Sequence, residues 1–173
     1  MTKRHITRAP SISGGPPRWL TAAADSPAKV RADWRDEPAE PRLMSTGRTF
    51  DAVVVADDLG VRTLEGYRAF AAPPLPTVID HRTRKVAFLI APYGLDFWAS
   101  TIGYLRGKPS YRYLSAGDFL LVPGPSPEVG ARHQWLCPPT ARPDLSAGAI
   151  VMLAGQVVSA SRRLAREAMQ HAE

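Results

Sequence analysis

The clearest pattern in the chain is the run from Phe50 to Ala56, where Ala52, Val53, Val54 and Val55 leave neither face polar. That predicts an interior strand rather than a half-exposed one. After Gly60, Val61, Leu64, Tyr67 and Phe70 recur at helical spacing and predict an amphipathic helix of about three turns. Pro73, Pro74 and Pro76 stop it. Thr77-Val78-Ile79 and Val86-Ala87-Phe88-Leu89-Ile90 read as two strands around the charged turn from Asp80 to Lys85. Phe119-Leu120-Leu121-Val122 and His133-Gln134-Trp135-Leu136 read as two more.

Helices are expected at both ends. Ser26-Pro27 predicts a helix start, serine capping and proline at the first helical position, with Val30 and Trp34 on one face and closure before Pro38. A short helix is expected from Asp96 to Tyr104, and one long helix from Ser146 to Gln170. The long helix presents Ile150, Leu153, Val157, Leu164 and Met169 as an apolar side, which is expected to need a protein partner. Interleaved strands and helices imply an α/β or α+β chain, and the expected class is α+β: a small mixed or antiparallel sheet with flanking helices. The expected organisation is a disordered arm over residues 1–17, a domain over 18–145 and a C-terminal helix over 146–173.

Composition changes this picture little. The 173 residues suit one domain plus a tail, and the 17 prolines favour loops and extended segments over a helical bundle. A formal net charge of +6 favours acidic partners such as nucleic acid, although Lys3, Arg4 and Arg8 place part of it in the arm. The single cysteine, Cys137, excludes an internal disulfide and a multi-cysteine zinc site, and reads as a buried thiol. The start has charge but no apolar core of a signal peptide, and the stretch from Ala147 to Val158 is too short to span a bilayer. A cytoplasmic protein without membrane contact is expected.

Six segments, in order, carry a family resemblance. Ser26-Pro27-Ala28-Lys29-Val30-Arg31-Ala32-Asp33-Trp34 is similar to a helix of the form Asp-Pro-x-x-Ile-Arg-x-Trp-Trp, and Ser45-Thr46-Gly47, followed by Arg48, to a glycine loop before the first core strand. Phe50 to Asp58 resembles a strand ending in metal-binding acids, with Gly60 to Glu65 as the helix start that follows. Lys85-Val86-Ala87-Phe88 resembles a His-Leu-Tyr-Phe strand. Gly117 to Ser126 resembles a closing Gly-Gly-Tyr-Val-Val-Ala-Pro-Pro-Ser segment, and Arg132 to Trp135 a terminal x-Tyr-x-Trp. Together, over about residues 20–139, the chain resembles the bifunctional primase–polymerase N-terminal domain of actinobacterial type, within the archaeo-eukaryotic primase superfamily.

The resemblance implies a primase–polymerase-like core and a nucleotidyl-transfer site in which acids hold magnesium or manganese. The family pattern there is Asp-x-Asp, with both carboxylates on one strand face. This chain has Ala56-Asp57-Asp58, and adjacent strand residues point to opposite faces unless the strand has already bent. Lys85 stands for the family's phosphate-contacting histidine and Arg112 for its third acid. The expectation is therefore a non-catalytic descendant, without a cofactor, that binds DNA, RNA or a nucleotide by phosphate contacts from Arg48, Lys85, Arg106, Lys108 and Arg112. A link to DNA replication or mobile elements follows from the same resemblance.

Alternatives stay open on the same residues. Asp57 and Asp58 are either a weak metal pair or capping residues of a strand-to-helix turn. Arg106, Lys108 and Arg112 interleave with Tyr104, Tyr111 and Tyr113, which suits a cation–aromatic nucleic-acid patch or a tyrosine-rich loop packed over the sheet. His81 reads as a solvated turn residue, and His133 as either a pocket or a strand histidine. The chain could be a regulatory or interaction protein that keeps only the fold. It could also be an active primase or polymerase with a shifted magnesium or manganese site on Asp51, Asp57, Asp58 and Asp118.

Overall fold

The computed structural model describes residues 10–70, 73–105, 109–140 and 146–171. In chain order the elements are α1 (Arg18–Thr21), α2 (Pro27–Asp36), β1 (Arg42–Ser45), β2 (Asp51–Ala56), α3 (Asp57–Arg68), β3 (Thr77–Asp80), β4 (Lys85–Ile90), α4 (Leu95–Tyr104), β5 (Arg112–Leu114), β6 (Phe119–Val122), β7 (His133–Cys137) and α5 (Ala147–Gln170). The class is α+β, as the sequence implies.

Five strands form one sheet in the order β5-β2-β4-β3-β7, and β1 pairs with β6 as a separate ribbon. Every pairing is antiparallel. β2 has neighbours on both sides, which explains why its sequence lacks a polar face. The pleat divides β4 between two cores. Val86, Phe88 and Ile90 pack with Leu64 and Tyr67 of α3, Trp98 and Ile102 of α4, and Leu153 and Val157 of α5. Ala87 and Leu89 face the other way, with Val78, Trp135, Leu20, Trp34, Met44 and Val122.

Several local expectations change. Ser26 precedes α2 with Pro27 at its first turn, but the serine side chain makes no capping bond. By contrast, Ser146 caps α5, accepting from the Ala149 N–H at 3.2 Å. α3 starts at Asp57 and buries Leu59, Gly60, Thr63, Leu64 and Tyr67, which leaves Val61 and Phe70 exposed. Gly60 lets α3 lie directly on β4: a Cβ there would sit 2.7 and 2.8 Å from the two Val86 γ-carbons.

The apolar side of α5 does not wait for a partner. Ile150, Leu153, Ala154, Val157, Val158 and Ala160 are buried in the same core as α3 and α4, and only Met169 of the expected stripe stands out in solvent. Arg62 of α3 closes the far end, donating to both carboxylate oxygens of Glu167 at 3.0 and 2.7 Å. The packed unit also begins before residue 18. Ile12 is 9% exposed within the second core, and its N–H donates to the Pro125 carbonyl at 2.8 Å. Among the described residues no helix is long and apolar enough to cross a membrane.

Candidate functional site

Register decides which side chains share a surface. Arg112, Val54, Ala87, Val78 and Trp135 form one row across β5, β2, β4, β3 and β7. Ala56, Lys85, Asp80 and His133 form the next row on the same face, two residues along. β6 lies opposite this end of the sheet. The space between is a groove of about 320 Å³ with a floor of Val54, Val78, Ala87 and Leu114 and a wall of Phe119, Leu120 and Leu121. Lys85, Arg112, Asp80, Thr83 and His133 supply its polar rim. Small floor residues leave the room, and Phe119 is 53% exposed beside it.

The Lys85 side chain is exposed and makes no ion pair or hydrogen bond among the described residues. Arg112 is 73% exposed and meets Asp118 at 3.2 Å, while the other oxygen of Asp118 accepts the Ser115 N–H, also at 3.2 Å. From ideal strand geometry the Lys85 and Arg112 backbones stand about 12 Å apart, two strands over and two residues along. Long flexible side chains at that separation can reach one ligand.

The other rim end is an ion-pair knot. Arg132 donates to Asp80 through Nε at 3.0 Å and Nη2 at 2.8 Å, and the Arg82 and Thr83 N–H groups add bonds of 2.9 and 3.2 Å. Arg132 above all holds the Asp80 carboxyl well below the usual carboxylate range. His133, 8% exposed, places Nε2 3.4 Å from Asp80 Oδ2. Burial lowers the imidazole pKa, against the pull of Asp80. His81 lies outside this knot, exposed, with Nε2 3.1 Å from Gln134 Oε1.

The remaining expected residues do not join the groove. Arg48 pairs with Asp25 at 3.4 Å on the β1–β2 loop. Arg106 and Lys108 lie outside the described residues. The cation–aromatic interleaving is split by the pleat: Arg112 faces the groove, whereas Tyr111 packs edge-on against Trp98 at 5.3 Å and Tyr113 donates to Asp51 at 2.8 Å on the helix side. Tyr111 and Tyr113 thus pack over the sheet. Tyr104, at the end of α4, is 88% exposed.

Asp57 and Asp58 form the first turn of α3, where carboxylates meet the positive end of the helix dipole. Arg84 donates to Asp57 at 3.0 and 3.2 Å, and that contact is the main reason the Asp57 pKa is lowered. Both acids line a separate depression of about 510 Å³ on the helix side, beside Arg62, Glu65 and Leu164. Asp51 is at the other end of β2, 1% exposed; burial raises its pKa, opposed by the Tyr113 hydrogen bond. Its Oδ1 has no hydrogen-bond partner among the described residues. Asp51, Asp118 and the Asp57–Asp58 pair therefore have three different surroundings, and among the described residues no three His, Cys, Asp or Glu side chains cluster as metal ligands.

No family model, curated protein or solved structure matches this chain. The groove thus has to be read from its own chemistry: two cations over a small apolar floor, with a buried histidine at one end. Sequence reasoning placed Lys85 and Arg112, named Asp118 only as a candidate metal ligand rather than as the partner of Arg112, and missed Phe119 as a groove residue; both roles emerge only once β6 is known to lie across the sheet. The signal that was available is the smallness of Ala56 and Ala87 on a strand face otherwise bordered by large residues.

Proposed function

We propose that this chain is a non-catalytic, primase–polymerase-like module that binds nucleic acid or a nucleotide through phosphate contacts in the groove between the five-stranded sheet and β6. The observation that carries the reading is that Lys85 and Arg112, far apart in sequence, line one cavity. Lys85 supplies an uncommitted ammonium, and Arg112 a guanidinium shared with Asp118. The apolar floor and Phe119 offer a surface for a sugar or base, whose π-face stacks without sequence preference. A cavity of about 320 Å³ suits a single nucleotide unit or a single strand and is too small for a duplex. Binding of this kind needs no metal.

The test is binding of a labelled short oligothymidylate across a salt series. Each phosphate contact on a single strand contributes a log–log slope of about −0.7. Replacing Lys85 and Arg112 by alanine should flatten the slope by about 1.4 in total and weaken binding to all sequences alike. RNA of the same length and a free nucleotide are the comparison ligands. Absence of binding at about 50 mM salt, where screening is weak, would sink the reading. Incorporation of nucleotides with magnesium or manganese, lost in an Asp57→Ala, Asp58→Ala variant, would restore the polymerase alternative.

A second reading, an interaction protein that keeps only the fold, is favoured by Tyr93, Leu95 and Phe97, which are exposed around the start of α4 on the side away from the groove. Absence of oligonucleotide binding at about 50 mM salt would leave this reading as the survivor.

A further inference from the structure

The histidine at the rim has a role that two fixed cations cannot fill. Resting on the groove as a phosphate site, we infer that His133 is a proton-gated third cation: a phosphate seated against Lys85 draws a proton onto the imidazole, so binding takes up a proton and strengthens as pH falls.

Position comes first. Lys85, Asp80 and His133 occupy one row on adjacent strands, so Lys85 lies between Arg112 on one side and His133 on the other. Ideal strand spacing puts the His133 and Lys85 backbones about 10 Å apart, within the reach of one ligand. Tautomer comes next. Asp80 is ionised and accepts only, so the neighbouring Nε2, 3.4 Å away, carries the hydrogen and Nδ1 is left to take the second proton.

Charge then sets the direction. Asp80 is the imidazole's nearest counter-charge, but both of its oxygens are already held by Arg132. Arg132 and His81 oppose a further positive charge, as does the burial of His133. Lys85 on β4 and Arg112 on β5 also face the groove and oppose it. Glu40 and Glu128, which line a small depression on the other side of His133, favour it. In the empty groove the balance is cationic and dehydrating, so the imidazole is neutral near pH 7. A phosphate ester brings the missing negative charge, and linkage requires that the site which gains a proton on binding binds more tightly when protons are abundant.

The sign follows directly. The bound-state pKa lies above the free-state value, so the gain is complete below the free pKa and vanishes as pH rises through the bound one. An upward shift of one unit corresponds to about tenfold tighter binding at the acid end.

The experiment is a side-chain NMR titration of the histidines in the full chain, free and saturated with the short oligothymidylate, with a thymidine monophosphate arm to separate a strand from a lone nucleotide. The His133 midpoint should rise by about one unit on saturation, and the Kd should fall by up to about tenfold as pH drops from about 8 to below the free-state midpoint that the titration itself gives. His133→Gln should abolish that pH response while His81→Gln keeps it. In a Lys85→Ala, Arg112→Ala background the His133 midpoint should no longer respond to ligand, which tests the coupling even if His133→Gln does not fold. Binding that depends on Lys85 and Arg112 while the His133 midpoint stays put overturns this inference alone. Binding indifferent to both cations overturns the groove reading and the inference with it.

Discussion

Asp118→Asn isolates the electrostatics of the groove with the smallest change of shape. Asp118 holds Arg112 at 3.2 Å, and the two side chains are 34% and 73% exposed. An ion pair so open to water is worth about 0.2–1 kcal/mol, and any phosphate approaching Arg112 has to displace it. Removing the competitor should therefore tighten oligothymidylate binding by about 1.4- to 5-fold, with the salt slope little changed because Arg112 contacts phosphate in both proteins. Asparagine keeps an acceptor for the Ser115 N–H, and the Asp118 N–H still donates to the Ser115 carbonyl at 3.0 Å, so the turn into β6 is preserved. Thermal unfolding should confirm that stability is unchanged within about 1 kcal/mol. The decisive arm is the same change in an Arg112→Ala background, where it should leave Kd almost unaltered. Weaker binding in Asp118→Asn would refute the competition argument. An equal gain without Arg112 would show that Asp118 acts only through the general field of the surface.

Three further outcomes test the framework that positions the groove. Gly60→Ala should destabilise the fold by about 1–3 kcal/mol in urea melts although alanine is the better helix former, because its Cβ collides with the Cβ and both γ-carbons of Val86; Val86→Ala, which keeps that Cβ, should relieve only part of the cost. Ile12→Ala should cost about 2 kcal/mol, whereas an arm that does not pack predicts no change. Tyr113→Phe should cost about 1–3 kcal/mol at pH 7 by leaving buried Asp51 without its side-chain donor. Burial already raises the Asp51 pKa, and losing the donor raises it further, so the penalty should grow from acid pH, where Asp51 is protonated in both states, towards neutrality.

What could be read from the sequence was what depends on local period. The alternation along Val86-Ala87-Phe88-Leu89-Ile90, the Val-rich run of β2 and the capped apolar repeat of α5 each specify an element without reference to the rest of the chain. β1 and β5 escaped because Arg42-Leu43-Met44-Ser45 and Arg112-Tyr113-Leu114 are three or four residues long and carry charge, as short ribbon and edge strands do. Missing β5 had a consequence for the site. Without its pleat, Tyr111, Arg112 and Tyr113 look like neighbours in one patch; with it, the arginine and the tyrosines lie on opposite sides of the sheet. The partner of α5 was misjudged for a similar reason, since only the tertiary packing of α3 and α4 shows where its apolar side is spent.

The same parity rule explains why the candidate groove and the acidic pair are separate. Lys85 opens β4 on the groove face, whereas Arg84 is the last residue of the β3–β4 turn, where its left-handed backbone (φ +53°) breaks the strand alternation. Arg84 pairs with Asp57 on the helix side, while Lys85 stays uncommitted above the groove. α3 begins immediately after β2, which converts Asp57 and Asp58 from strand residues into the first helical turn and fixes them beside Arg84 and Arg62. The groove face of β2 offers no carboxylate, only Ala52, Val54 and Ala56, and the acids near the groove, Asp80 and Asp118, are paired with Arg132 and Arg112. The positive charge that a phosphate would meet in the groove is therefore carried by Lys85, Arg112 and, once protonated, His133, set against the Asp80 carboxylate that Arg132 already holds.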